Sequence, residues 1–596
     1  MIKMPPVSLE SFFATFNIRD FAVSPDESQI VYSTNLQGSY DLWALDQGQG
    51  YPYPLTRRGQ MSQFIKHLPD GKIILTGFDR DGDENWQVYA LSARGGELMP
   101  LLTNAEEKFY FGDLSSDGRY LYFYTSENNR RYHNIAKLNL ETGEQTVLLE
   151  GDKGPVDLSA VSPNQRSMAY LHSLGNTKVL GYVRIDGADL CVTPEPESRQ
   201  RVHVIKFWDN DTVYLLTNYG EEFAYLASCH IPSRSFSKVC AVEGHELTDL
   251  RLDQRQGRIY FIASRGVQDC VYAFDLNSQE LTELAAPVSV ITKLEVGASG
   301  KLYLLGRSAT SPANIYTSSD GFAWDRLTAH GILGVTPDQL TEPEVLVYPS
   351  YDGLEIEALY YAPDPAADNG HTVLWPHGGP QAAERKWFRP LLQYLCLQGY
   401  RVFAPNYRGS SGYGETFMNM VNKDWGGGPR LDIVAGMEWL DSLGRSEPGK
   451  WFCVGGSYGG YMTLLLHGRH PELFKGFVDE FGPSNLFTTI ETAPEHWKAA
   501  DAELIGDPVA DRDKLIEDSP MTYLDSMTKP MLVVQGANDP RVVQEESDAI
   551  VDALRARGQV VEYILLPDEG HGYSKTENAI KVYKAIVDFL DRIRTL

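Results

Sequence analysis

Short apolar cores recur along the first 335 residues at an even spacing. They are Ile30-Val31-Tyr32, Ile73-Ile74-Leu75, Tyr120-Leu121-Tyr122, Met168-Ala169-Tyr170, Val213-Tyr214-Leu215, Ile259-Tyr260-Phe261 and Leu302-Tyr303-Leu304, with starts 43 to 48 residues apart. Most are followed by a second strand pattern, such as Asp41-Leu42-Trp43 or Val271-Tyr272-Ala273. Several are preceded by a turn such as Ser24-Pro25-Asp26 or Ser116-Asp117-Gly118. A unit of strands and turns this short cannot bury a hydrophobic face alone, so units of this kind stack. Seven of them predict a seven-bladed β-propeller over residues 21–335. Two β-sandwiches would not keep so regular a period.

From about residue 336 strands begin to alternate with helices. A lead-in hairpin at 344–348 and 355–361 surrounds Tyr351-Asp352-Gly353. Strand patterns follow at 372–375 and 400–404, separated by a helical stretch near 389–398. The apolar run at 451–454 precedes a helix with Met462, Leu465 and Leu466 on one face, and further strands are expected at 530–535 and 560–566. This alternation predicts a mainly parallel sheet with helices on both faces, occupying 336–596. A chain of 596 residues has room for two or three such cores.

Charge and cysteine usage narrow the partners. A net charge of −27 disfavours nucleic acid and anionic membranes. No run approaches the roughly 18 apolar residues of a membrane span, and the first ten residues lack a secretory apolar segment. The six cysteines show no C-x-x-C spacing, which predicts reduced thiols in a cytoplasmic protein. No metal-ligand motif and no cofactor signature stands out, and neither is expected.

The chemistry concentrates in three strand-end loops. Gly455-Gly456-Ser457-Tyr458-Gly459 reads G-x-S-x-G between a strand and a helix, the setting of a nucleophile elbow. In a chain with 53 glycines that motif alone could be chance. Its partners decide the matter. Asp539 follows the 530–535 strand and His571 follows the 560–566 strand, 82 and 32 residues further along in turn. That is the order nucleophile, acid, base, with each residue at the carboxyl end of a strand where open α/β sheets bind ligands. Upstream, Pro376-His377-Gly378-Gly379-Pro380 leaves the 372–375 strand, and its glycines let a main-chain N–H face the site. The expected oxyanion donors are the N–H groups of Tyr458 and Gly379, with His377 orienting the loop.

The runs His377-Gly378-Gly379-Pro380, Asn406-Tyr407-Arg408-Gly409-Ser410-Ser411-Gly412-Tyr413-Gly414 and Gly455-Gly456-Ser457-Tyr458-Gly459-Gly460, with Asn538-Asp539-Pro540-Arg541-Val542 and Gly570-His571-Gly572, resemble the prolyl oligopeptidase family of serine peptidases. Within it they are most similar to the acylaminoacyl-peptidase branch. The resemblance implies an α/β-hydrolase domain capped by the propeller. It also likens the amphipathic piece Ser8-Leu9-Glu10-Ser11-Phe12-Phe13-Ala14, within an N-terminal segment 1–20, to one that packs on the hydrolase domain, although a loose leader would look the same.

Substrate recognition is less determined. Arg541 lies close enough to Asp539 to hydrogen-bond a substrate carbonyl or terminal carboxylate. Glu480, in Asp479-Glu480-Phe481-Gly482-Pro483, brings a carboxylate toward the pocket. The propeller pairs Asp83-Glu84 and Glu221-Glu222 could meet a free amino group or Arg541. The expected activity is acyl-enzyme hydrolysis of short peptides by an acylaminoacyl-peptidase or oligopeptidase, with the propeller limiting substrate size. Aminopeptidase, carboxypeptidase and esterase readings stay open, as do a binding platform with a vestigial hydrolase and a homo-oligomer.

Overall fold

The computed structural model describes residues 7–48 and 50–596. Its N-terminal half is a β-propeller of antiparallel sheets. Five are separate four-stranded sheets, the first running from Ile18–Val23 to Tyr53–Pro54 and the last from Val290–Val296 to Asp325–Arg326. The sixth has eight strands. In it the strand Lys178–Ile185 pairs antiparallel with Ser167–Gly175 and parallel with Gln200–Phe207, through Lys178↔Gln200 and Val179↔Arg201. That hairpin has strands of nine and eight residues, where most central strands have six. Its short neighbour Ala188–Cys191 covers only the far end, so the near end is left free to pair onward.

Alternation places one face of each strand against the next sheet. Val31 and Ala44 of the first sheet pack with Ile74, Phe78 and Leu91 of the second. The ring closes by the same means, since Tyr303, Leu305 and Ile315 of the last sheet pack with Phe21, Tyr32 and Trp43 of the first. Polar contacts reinforce the seam. Lys293 Nζ reaches Asp20 at 2.8 Å and Tyr303 donates to Glu27 at 3.0 Å.

The C-terminal half is one eight-stranded sheet. Its spatial order is Glu344–Pro349, Glu355–Tyr361, Arg401–Pro405, Thr372–Leu374, Trp451–Gly456, Phe474–Glu480, Met531–Gly536 and Val561–Leu566. Glu355–Tyr361 runs antiparallel to both of its neighbours, and all the other neighbouring pairs are parallel. Two hydrophobic cores lie on its two faces, one around Trp451, Tyr461 and Ile550 and the other around Val454, Leu392 and Leu590. The N-terminal helix Leu9–Phe13 joins the second core. Phe13 stacks on Tyr583 at 4.5 Å and Phe12 meets Tyr394 edge-on at 5.5 Å. The first propeller strand starts at Ile18, slightly ahead of the expected boundary.

The halves meet around the whole rim. Lys575 Nζ lies 3.0 Å from Asp81, and the tip of the long propeller hairpin donates to Glu503 through Thr177 N and Oγ1, both at 3.0 Å. Arg385 pairs with Asp269, and Glu222 accepts from Thr416 N and Oγ1 at 2.9 and 2.6 Å. Glu221 pairs with Lys238 on the propeller itself. Thr416 takes both Glu222 oxygens, Glu221 pairs with Lys238, and Arg541 pairs with Glu84 instead, so the structure does not bring Glu221-Glu222 to Arg541. Among the described residues no helix is long and apolar enough to cross a membrane, and no cluster of His, Cys, Asp and Glu is arranged to hold a metal ion.

Candidate active site

Strand Trp451–Gly456 runs straight into helix Tyr458–Arg469, leaving Ser457 alone at the turn with φ 59° and ψ −125°. A serine adopts that strained geometry only where its surroundings enforce it. Here its N–H is tied to the Glu480 carbonyl of the next strand at 2.9 Å. The turn lifts Oγ off the sheet toward His571, whose Nε2 lies 2.9 Å away. His571 Nδ1 lies 2.6 Å from Asp539 Oδ2. The other Asp539 oxygen accepts the N–H groups of Arg541 and Val542 at 2.9 and 3.0 Å. Two main-chain donors thus fix the carboxylate in plane and leave one oxygen for the imidazole. An imidazole so held keeps the tautomer that accepts a proton at Nε2.

The Gly378-Gly379 loop passes over Ser457. A Cβ on Gly378 would lie 3.3 Å from Ser457 Cβ, so even a methyl there would crowd the turn. Gly379 has φ 129°, a region that bulkier residues avoid, and this turns the loop across the site. Among the described residues the N–H groups of Gly379 and Tyr458 donate to no protein acceptor. His377 stands behind the loop, stacked on Tyr407 at 4.3 Å with Nε2 2.8 Å from Ser410 Oγ. Burial pushes its pKa down to about 4, so it stays neutral and braces the loop.

Two cavities share Ser457. One, of about 430 Å³, is bounded by His571, Glu480, Tyr573 and the N-terminal Phe12 and Phe13. Glu480 is buried there and accepts the Tyr573 hydroxyl, and burial raises its carboxyl pKa to about 7. The other, of about 340 Å³, holds Tyr458 and Gly379 together with Trp425, Trp497, Asp501, Leu504, Ile505 and Arg541. Arg541 is bound at its mouth by Glu84 of the propeller, 2.7 Å away. The second cavity escaped sequence reading. Its walls come from helices Leu486–Thr492 and Lys498–Leu504, seven residues each, too short to print a periodic face.

A propeller loop completes the enclosure. Gly82 sits so close to the His571 loop that a Cβ on it would lie 2.5 Å from Gly570 N. Asn538, beside Asp539, donates to the Asp81 carbonyl at 3.2 Å. Loop 79–85 thereby touches the acid and histidine loops together.

Residues 386–595 match the prolyl oligopeptidase family, and residues 13–201 match the TolB β-propeller domain. The chain is 27% identical to dipeptidyl aminopeptidase BIII of Pseudoxanthomonas mexicana, covering 98% of this chain and 87% of that protein. It is 39% identical to dipeptidyl peptidase family member 6 of Caenorhabditis elegans over 226 residues, 37% of this chain and 30% of that one. A puromycin-hydrolyzing peptidase of Mycobacterium tuberculosis has the same fold, with TM-score 0.87, 18% identity and coverage of 99% and 96% of the two chains. A serine–histidine–aspartate chain on a strand-to-helix turn, inside the residues that match that family and beneath a propeller, identifies residues 386–595 as a serine peptidase domain of the prolyl oligopeptidase family.

Proposed function

We propose that Ser457, His571 and Asp539 form the catalytic triad of an enzyme that cleaves short peptides through an acyl-enzyme. The observation that carries this is the unbroken pair of contacts, 2.9 Å from Ser457 to His571 and 2.6 Å from His571 to Asp539. His571 takes the Ser457 proton as Oγ attacks the scissile carbonyl, and Asp539 stabilises the imidazolium. The N–H groups of Tyr458 and Gly379 hold the oxyanion, each worth about 3 kcal/mol in the transition state. The imidazolium then protonates the departing amine, and water, activated by the same histidine, releases the acyl group. The test is covalent labelling by a fluorophosphonate. Wild type should label and turn over chromogenic peptides, and Ser457→Ala should do neither. Turnover by Ser457→Ala above about a hundredth of wild type would implicate another nucleophile.

We divide the chain into an N-terminal segment 1–20, a propeller 21–335 and an α/β-hydrolase domain 336–596. We count seven blades, taking the eight-stranded sheet as two blades joined by its two parallel pairs. The cavity with the oxyanion donors takes the acyl side of the substrate, and the cavity bounded by Glu480 takes the leaving group. At the mouth of the first, Arg541 and Glu84 form a clamp for the substrate's amino end. Glu84 retains an oxygen for a free ammonium, which favours removal of a short N-terminal peptide, and the near-full-length similarity to a dipeptidyl aminopeptidase supports this. A second reading, release of acylated residues, is favoured by the fact that Glu84 already has a counter-charge and Arg541 has N–H groups to spare for an acyl carbonyl. Matched p-nitroanilides with free and acetylated amino ends separate the two.

A further inference from the structure

The acyl-side cavity contains one charged group with no partner. Asp501 lies on helix Lys498–Leu504 and lines the cavity that holds Ser457 and the two oxyanion donors. It is 9% exposed, and among the described residues no cation pairs with its carboxylate and no side-chain or main-chain donor bonds to it. Burial without a counter-charge pushes its pKa up to about 6. Its neighbour Glu503 faces away and holds Thr177 of the propeller. Arg541, the cation nearest the cavity mouth, is committed to Glu84 and is 44% exposed.

A buried carboxylate left without a partner is costly, and such cost persists where a ligand removes it. Most of the remaining lining is apolar, with Trp425, Trp497, Leu504 and Ile505 sharing the cavity with Ser457 and the acid. That arrangement suits an extended side chain with an aliphatic stem and a positive end. The stem packs on the indoles and leucine while the cation meets the carboxylate.

We propose that Asp501 is a specificity-determining residue selecting a basic side chain, lysine or arginine, at the residue whose carbonyl is attacked. This rests on Ser457 being the nucleophile and on the acyl-side assignment of the cavity. Both are checked separately, since fluorophosphonate labelling reports the nucleophile whatever the side chain.

The experiment compares dipeptidyl aminomethylcoumarides ending in lysine with those ending in norleucine, which keeps the stem and lacks the ammonium. Free and acetylated forms of each are run in parallel, so that an end preference does not mask the result. Wild type should favour lysine by tenfold or more in kcat/KM. Asp501→Asn should lower turnover of the lysine substrate and raise that of norleucine, reversing the ratio, while Asp501→Glu should keep a preference for lysine. A wild-type enzyme that labels normally yet prefers norleucine or shows no preference would overturn the assignment, even if no variant folds. So would an Asp501→Asn enzyme whose two rates fall together, which is the mark of a merely structural carboxylate. Failure of wild type to label would remove the triad reading, and this inference with it.

Discussion

Asp539 is the residue whose environment most constrains its role. Both oxygens are spoken for, one by two main-chain N–H groups and one by His571. Asp539→Asn should keep these contacts in shape while presenting an amide N–H to Nδ1, favouring the wrong tautomer. The expected loss in kcat is about 10⁴-fold with KM little changed. Steady-state kinetics check it, and near-normal turnover would transfer the acid role elsewhere. The nearest alternatives are poorly placed. Asp568 is paired with Lys575, and Glu569 is buried accepting from Ser574, Lys575 and Asn578. Glu480 supports a prediction in pH. Its folded pKa of about 7 lies above the unfolded value of about 4.3, so the stability it contributes is complete in acid and is lost as pH rises through 7. Glu480→Gln should match wild type near pH 4, below the unfolded value, and be the more stable of the two, by on the order of 2 kcal/mol, near pH 8.5. Equal denaturant midpoints at both pH values would contradict it. Ser457, Asp539 and His571 were legible as residues because each sits where a buried strand pattern breaks at glycine. Asp501 was not, because a lone aspartate in a short helix looks like any solvated one.

At the scale of elements, legibility followed periodicity. The parallel strands and the helix after Ser457 are long enough to show their repeat, and the structure moves their ends by only a residue or so, as with Arg401–Pro405 for the expected 400–404. Two features depend on geometry that no local pattern carries. One is the parallel join between propeller sheets, made through only two residue pairs. The other is loop 79–85, whose contacts with the Asp539 and His571 loops join residues nearly 490 apart in sequence. That loop carries its own prediction. Gly82→Val must push the propeller loop off Gly570, since even a Cβ would lie 2.5 Å from its nitrogen. His571 would shift with its loop, and a displacement near 1 Å costs about 10²-fold in turnover. Gly187→Val is the control. It has a similar φ of +86° but nothing within 4 Å of its Cβ position, so it tests the cost of the backbone conformation without the contact. Turnover should fall in the first variant alone. Equal rates in both would mean that the loop contact does not position the histidine.

At the scale of the molecule, the propeller closes over the sheet edge that carries Ser457. Contacts run from Asn35–Thr576 through Asp81–Lys575, Thr177–Glu503 and Glu222–Thr416 to Asp269–Arg385 and Ala309–Gln393. With the rim so continuous, two routes to Ser457 stand out. One is the propeller's own axis, where a cavity of about 720 Å³ is lined by Lys66, Lys206, Arg251 and Lys293 facing Asp20, Asp113 and Glu295. The other is a hinge opening at the two linkers, near 15–22 and 330–345, which would break many small polar contacts but no large shared core. Routes of this kind suit a flexible chain better than a folded domain. The enzyme is therefore expected to hydrolyse a short chromogenic peptide readily and to leave a stable folded protein uncut over the same time. Loosening the rim tests the cause of that selectivity. Arg385→Ala combined with Glu222→Ala removes two interdomain anchors remote from the triad, and should speed cleavage of longer flexible peptides more than that of dipeptide substrates. Comparable wild-type rates on peptide and folded protein would mean that Ser457 is reached without opening. An unchanged length dependence in the double variant would place the barrier in the axial channel rather than at the rim.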